Sequence, residues 1–504
     1  MNVSKYSIYA GAVLLSGCQQ NKETDQKYPN FIVIFTDDQG YNDLGCYGST
    51  LIRTPNIDLM AAEGIRFINF YSQPISGAAR VALLTGCYPL RTAEVGNEKR
   101  LFPMLHPDEI IIPEVLKTKG YVSGCIGKWD IMGREGPPFL RDDLFPTEMG
   151  FDYWYGVPAS NDGGINVVYR NKDVIFRRGD KFTDVITVDT ITQVCTAEAL
   201  RFIEENKGKP FFLYIPTTMP HTRLGASSGF KGKSRAGLYG DAIEELDWCA
   251  GEIRKKVEEL GLANNTYIIY TSDNGPWLAR GTHGGSAYPL RGEKISTWEG
   301  GVRVPCIVWS GAFRKKGQVC HQVATTMDFL PTFASMAQVE LPTDRKIDGQ
   351  DITSLLTGIR TDFELKDEYY YYMDTHLQAV RQGEWKLVFP RPQAPEWIRT
   401  GKKSIWIRED MDAVRDIELY NLVTDPGERR DIAASHPDIV QQLLILAEKV
   451  RNDIGDYNQT GNGVRFFDEE ERRPDAHYWY EKEQSGWKQE IKLHPYYNDG
   501  GRIL

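Results

Sequence analysis

Asn30-Phe-Ile-Val-Ile-Phe35-Thr-Asp-Asp-Gln-Gly40 is an unbroken apolar run that closes on two adjacent carboxylates. A run rich in β-branched and aromatic residues, with no polar alternation, reads as a strand buried on both faces, as in a parallel sheet. Asp37 and Asp38 then stand at its carboxyl end, the edge at which open α/β sheets bind ligands. Carboxylates delivered there by a buried strand are costly unless cations meet them. The alternative is a solvated acidic turn.

Outward from this strand the pattern alternates. Residues 56–62 read as a helix, 64–70 as a strand, 113–119 as a helix and 121–127 as a strand and turn. Residues 191–205 carry an amphipathic helical pattern, and Pro210-Phe-Phe-Leu-Tyr-Ile215 is another buried strand. A long helix over 242–260 leads to a further strand, Thr266-Tyr-Ile-Ile-Tyr270. Such alternation predicts an α/β fold, a large mixed and mostly parallel sheet sandwiched by helices. From about Tyr369 the texture changes to a hairpin around Gly383, a short strand at 417–420, an Asp425-Pro-Gly turn and a helix over 437–451. These predict a smaller C-terminal α+β subdomain.

Between the strands at 64–70 and 121–127 lies Ser76-Gly-Ala-Ala-Arg80-Val-Ala-Leu-Leu-Thr85-Gly86, which reads as a turn opening into a buried helix. A serine at a helix start has its Oγ among unpaired backbone N–H groups, where an anion is stabilised, and Arg80 follows one turn on. The plain alternative is an N-cap serine beside an arginine in a surface salt bridge. A second acidic strand end follows at Thr271-Ser-Asp-Asn-Gly275. Asp37, Asp38, Asp273 and Asn274 make an all-oxygen donor set, which suits a hard cation such as calcium or magnesium and suits zinc or copper poorly. Three more motifs follow strands or turns: Gly127-Lys128-Trp129-Asp130, Met219-Pro220-His221-Thr222, and Arg291-Gly-Glu-Lys294 leading into Trp298-Glu-Gly-Gly-Val-Arg-Val-Pro305. Alone, each lysine reads as a solvated surface group and the histidine as structural.

The 504 residues allow two or three domain-sized units, and 41% hydrophobic with 25% charged residues is ordinary for a folded chain. A net charge of −10 with scattered basic residues argues against nucleic acid, so an anionic substrate needs a local cationic site. Cys46, Cys87, Cys125, Cys195, Cys249, Cys306 and Cys320 are odd in number, widely spaced and without a C-x-x-C, so neither a disulfide framework nor a zinc site is expected. Residues 1–17 carry Lys5 and a short apolar run, which reads as a signal peptide and not a membrane span. Leu15-Ser-Gly-Cys18 resembles a bacterial lipobox with Cys18 as the lipidated residue; ordinary signal cleavage beside an incidental cysteine is the alternative. Either reading makes the protein exported, as a periplasmic or cell-surface lipoprotein touching the membrane only through its lipid. Residues 18–28 then form a tether, 29–367 the main domain, and 368–504 the C-terminal subdomain with an aromatic, charged tail.

In their joint order these motifs resemble the type I sulfatases of the alkaline phosphatase superfamily. The resemblance runs from Asn30 to about Ala433 and includes Asp328-Phe-Leu-Pro-Thr332, Asp348-Gly-Gln-Asp351 and Glu418-Leu-Tyr-Asn-Leu422. It implies an alkaline phosphatase-like fold and hydrolysis of sulfuric esters. It also implies that Asp37, Asp38, Asp273 and Asn274 hold one calcium ion and that Ser76 is oxidised to formylglycine (3-oxoalanine). Arg80, Lys128 and Lys294 become the cations around the sulfate and the aldehyde hydrate. His221, or Lys294, gives the leaving alcohol its proton. One hydroxyl of the hydrate attacks sulfur and the second later collapses to expel sulfate; a plain serine would stop at a stable ester. Exported, lipid-anchored members usually act on sulfated carbohydrates. Ser76 with Ala78 resembles the form matured by a serine-type radical-SAM maturase, an implied partner.

The chain departs from the family at two positions. Ala79 replaces a serine, and Asp130 replaces the histidine that serves as a base. Asp130 is then the base itself, an anchor for Lys128, or the mark of a slow or dead enzyme. His283 and His376 are candidate substrate contacts, each with a structural reading beside it, and Asn161 and Asp162 are candidates for lining a sugar pocket. Two alternatives stay open for the whole chain. One is a phosphoryl or phosphonate ester hydrolase on the same fold. The other is a non-catalytic sulfoglycan-binding protein with Ser76 unmodified.

Overall fold

Residues 30–36 form the strand their composition predicts, Asn30–Thr36, every residue of it buried. It lies between Phe211–Pro216 and Thr266–Ser272 and runs parallel to both. Phe31, Val33 and Phe35 enter one apolar cluster with Phe329 and Phe333 of the Phe329–Met336 helix. Ile32 and Ile34 enter another with Ile243 and Ile253 of the Gly237–Glu259 helix. Both faces of the strand are thus covered by helices, and each such side chain stabilises the fold by about 1.5–3 kcal/mol.

The computed structural model describes residues 27–465 apart from 93–104, 133–141, 180–185, 358–364, 374, 392–399, 402–403, 406–413 and 457–458. The residues read as a signal peptide, Cys18, most of the expected tether and the tail after 465 lie outside the described residues. The described part holds a ten-stranded sheet. Its five central strands, Thr266–Ser272, Asn30–Thr36, Phe211–Pro216, Val122–Lys128 and Tyr153–Val157, are parallel. Cys306–Trp309 joins antiparallel on one side, and Val167–Arg170 with Asp173–Arg177 joins as an antiparallel hairpin on the other. The fold is therefore α/β with a mixed, mostly parallel sheet. The expected strand at 64–70 is divided: Ile65–Phe67 belongs to the large sheet, while Phe70–Tyr71 pairs with Ala324–Thr325. The seven described cysteines are free thiols.

The C-terminal part is a four-stranded antiparallel sheet of Glu368–Met373, His376–Gln382, Trp385–Val388 and Glu418–Asn421, accompanied by the Pro437–Asp453 helix. Leu377, Val380, Leu443 and Val450 belong to the same apolar cluster as Phe31 and Val33, so one core runs through both parts.

Register places the site. Thr36 pairs with Ser272, so the two strands deliver Asp37 and Asp273 side by side at their carboxyl ends. The Asp37 N–H donates to the Met219 carbonyl (3.1 Å) and the Asp273 N–H to the Thr36 carbonyl (2.9 Å), tying three strand ends together.

Candidate active site

Ser76 is the first residue of the Ser76–Thr85 helix, with Ile75 as its N-cap. The N-cap reading of Ser76 is therefore corrected. Its hydroxyl donates to Asp37 Oδ1 at 2.9 Å and lies 3.4 Å from Asn274 Oδ1. Arg80 is not on the surface: it is fully buried and donates to the Lys128 carbonyl (2.9 Å) and to Asp273 Oδ2 (3.1 Å). The solvated-turn reading of Asp37-Asp38 fails for the same reason, since both side chains are buried and met by cations. Lys128 Nζ is 2.8 Å from Asp37 Oδ2 and 3.1 Å from Asp130 Oδ2. Lys294 Nζ is 2.7 Å from Asp38 Oδ1. The Asp38 N–H donates to Asp273 Oδ1 (3.0 Å), and Asn274 Nδ2 donates to Asp38 Oδ1 (2.8 Å).

Two glycines permit this convergence. A Cβ on Gly127 would lie 2.0 Å from the Pro216 carbonyl oxygen, and one on Gly275 only 1.8 Å from that of Gly300. Three site residues also hold left-handed backbone, Asp38 (φ 68°), Asp130 (φ 59°) and Ile295 (φ 64°), a region that non-glycine residues rarely adopt. Strain of this kind gathers where surrounding structure over-determines the chain.

The electrostatics follow from burial and charge. Burial raises the Asp37 pKa, but Lys128, His221, Arg80 and Lys294 outweigh it and hold the carboxyl well below its usual range. Burial, then the Asp37 charge, pushes Asp273 up to about 8. Burial opposes the charge on Lys128, yet Asp130 and Asp37 hold its ammonium above the ordinary value.

His221 stands between two carboxylates. Its Nε2 is 3.6 Å from Asp38 Oδ2, and its Nδ1 is 3.6 Å from Asp162 Oδ1 and contacts the Thr222 carbonyl. Asn161, a candidate pocket residue, is buried and donates to the His221 and Arg223 carbonyls at 3.2 and 2.7 Å, so it supports the histidine loop. Asp162 does reach the site, through His221. His283 is exposed at the end of the Leu278–His283 turn. His376 is buried at the start of His376–Gln382, 3.5 Å from Gln378, whose Oε1 accepts from Thr297. The Ser76 hydroxyl itself faces Asp37 and Asn274. Sequence reasoning missed Trp277 and Arg280. The Trp277 ring lies under Lys294 Nζ (4.7 Å) and under the Arg280 guanidinium (3.8 Å), with the His221 ring 5.7 Å away. The signal was an aromatic and a cation just past Asp-Asn-Gly275, where only the acidic pair stood out.

The sulfatase family pattern matches residues 29–339, and a pattern described as the C-terminal region of aryl-sulfatase matches 364–474. Over 458 residues the chain is 37% identical to the N-acetylgalactosamine-6-sulfatase of Canis lupus familiaris, covering 84% of this chain and 85% of that one. It is 29% identical over 518 residues to the N-acetylgalactosamine-6-O-sulfatase of Bacteroides thetaiotaomicron, covering 89% and 99%. A solved structure described under the metabolism of multiple glycosaminoglycans by Bacteroides thetaiotaomicron matches with a TM-score of 0.71 at 29% identity, covering 84% and 99%. The chain belongs to the sulfatase family, as a type I sulfatase of the alkaline phosphatase superfamily.

Proposed function

We propose that this sulfatase cleaves sulfate esters of sulfated carbohydrates, with one calcium ion at Asp37, Asp38, Asp273 and Asn274 and with Ser76 oxidised to formylglycine. The observation that carries the reading is the Ser76 hydroxyl set 2.9 Å from Asp37 among the buried cations Arg80, Lys128 and Lys294. The donor set suits calcium by its chemistry, since Asp37 Oδ1 and Asn274 Oδ1 both face the Ser76 hydroxyl, at 2.9 and 3.4 Å, with Asp38 and Asp273 buried beside them. Asp273, pushed up to about 8 by burial and the Asp37 charge, is the carboxyl that a hard divalent cation there would bring to its charged form. When present, calcium supplies Lewis-acid neutralisation of the bound sulfate, and formylglycine supplies a nucleophile that can be regenerated.

The chain's own residues do the rest. Lys128 and Arg80 present fixed positive charge that needs no reorganisation as charge develops on sulfate. Lys294, on the Asp38 side, adds to it. His221 gives the proton from Nε2 to the departing alcohol oxygen, while Asp162 and the Thr222 carbonyl orient the ring through Nδ1. Asp130, in the place of the family's histidine, acts through Lys128, whose ammonium it fixes at 3.1 Å. Residues 1–28 act as an export signal and tether, with Cys18 carrying the lipid. Wild type should then fractionate with membranes and Cys18→Ala should be released; equal partition contradicts the anchor.

The test is hydrolysis by protein co-produced with a serine-type maturase, on matched 4-nitrophenyl sulfate, phosphate and phosphonate esters and on 6-sulfated N-acetylgalactosamine, the sugar named in the relatives. Sulfate esters should be cleaved fastest, and only by matured protein. Faster cleavage of the phosphate or phosphonate moves the chain to phosphoryl chemistry. Tight binding of the sulfated sugar without release makes it a binding protein.

A further inference from the structure

Past Gly275 the chain turns over Trp277 into the short Leu278–His283 helix, which carries Arg280. The guanidinium lies 3.8 Å over the Trp277 ring. Lys294, the cation paired to Asp38, sits 4.7 Å over the same ring. One indole therefore carries two cations, one at the sulfate centre and one beyond it. Arg280 differs from Arg80 and Lys128 in having no carboxylate within ion-pair distance among the described residues. Its Nε is buried without a hydrogen-bond partner there. Burial holds it below its ordinary pKa, and Asp162 and Asp38 only partly offset that. A half-buried, planar, forked donor stacked on an aromatic face is suited to a carboxylate or sulfate oxygen pair. Asp162 is already engaged by His221 and by the Ser160 hydroxyl at 2.6 Å.

We propose that Arg280 binds a second anionic group of the substrate, so that the preferred substrate carries another sulfate or a uronate carboxylate besides the sulfate that is cleaved. The proposal rests on the sulfated-carbohydrate reading above. Trp277 holds the guanidinium in place, and Asp162 on the other side of His221 limits where a negative group fits. The second anion therefore lies on the His221–Trp277 wall, the side from which the alcohol departs.

Direct binding tests this apart from turnover. Calorimetric titration of the Ser76 protein in calcium buffer compares N-acetylgalactosamine 6-sulfate, its 4,6-disulfate, and a disaccharide joining a uronic acid to the 6-sulfated sugar. At least one dianionic sugar should bind roughly tenfold more tightly than the monosulfate, and Arg280→Gln should erase that difference while leaving the monosulfate within about twofold. Arg280→Lys should keep part of it. The disulfate and the disaccharide separate sulfate from carboxylate as the second group. Equal affinity of the wild type for all three sugars, or an equal loss on all three in Arg280→Gln, overturns the proposal. Should matured protein release no sulfate while the binding difference persists, the hydrolytic reading fails and the assignment of Arg280 stands.

Discussion

Lys128 is clamped between Asp37 at 2.8 Å and Asp130 at 3.1 Å, and Asp130 holds a left-handed backbone to reach it. Both carboxylates keep the ammonium charged against burial. Asp130→Asn removes one of them while keeping the shape. Sulfate binding should stay within about twofold, and kcat should fall roughly 10- to 100-fold, the usual size of a supporting-residue effect at such centres. The basic limb of the pH–rate profile should move to lower pH, because Lys128 then loses its proton more readily. Wild-type kcat in that variant removes Asp130 from the mechanism. Asp130 beside Lys128 was legible from Gly127-Lys-Trp-Asp130, since two residues apart past a strand they can meet. The role of Asn161 was not, because its two bonds go to backbone carbonyls sixty residues away.

At the scale of elements, the site is a matter of strand register. Asn30–Thr36 and Thr266–Ser272 end in step and so bring their acidic pairs together. Their continuous apolar runs made both strands readable. Cys306–Trp309 was less so, as four residues after Val304-Pro305 do not reveal that they pair antiparallel beside Thr266–Ser272. Nor does a local pattern show that Phe70–Tyr71 leaves the main sheet to pair 254 positions downstream. Gly275 is where one strand end meets the Glu299–Val302 turn, with the Gly300 carbonyl 1.8 Å from any added Cβ. Gly275→Ala should destabilise by about 1–3 kcal/mol in denaturant unfolding, as overpacked sites do, and weaken calcium binding with it. Gly208, with nothing within 4 Å of its Cβ position, is the control, and Gly208→Ala should leave both unchanged. Calcium itself should raise the unfolding free energy of chelator-treated protein by about 2.7 kcal/mol at a hundredfold excess over Kd. Asp273→Asn should shrink that rise; an undiminished rise places the ion elsewhere.

The two parts of the molecule are joined by a buried ionic knot. Lys386 of the C-terminal sheet lies 3.3 Å from Glu299 and 2.6 Å from Glu428, and donates to the Thr297 carbonyl at 2.8 Å. Glu428 accepts from the Glu299 N–H at 2.7 Å, and Tyr71 and Tyr371 both donate to Glu299. Two acids sharing one lysine are driven apart. Burial opposes the Glu299 charge, but Lys386, Arg303 and Arg381 bring its pKa to about 2, while burial pushes Glu428 up to about 7. A raised carboxyl pKa favours folding below the unfolded value and loses that advantage as pH climbs through the folded one. Glu428 therefore makes the protein less stable from about pH 5 to pH 8, by at most about 3 kcal/mol, while Glu299 contributes no slope in that window. Glu428→Gln should flatten the fall in unfolding free energy across that range. An unchanged slope assigns the pH dependence to other groups. This knot follows from Trp298-Glu-Gly-Gly-Val-Arg-Val-Pro305, whose glutamate the sequence showed but whose partners arrive only when the C-terminal sheet packs.

The claim on which all this depends is that Ser76 is the precursor of the nucleophile. Mass spectrometry of the peptide carrying Ser76, taken from protein that is releasing sulfate, tests it most directly. That residue should be lighter by two hydrogens, and the protein silent and unshifted when the maturase is withheld. An unmodified Ser76 in protein that turns over sulfate esters would contradict it.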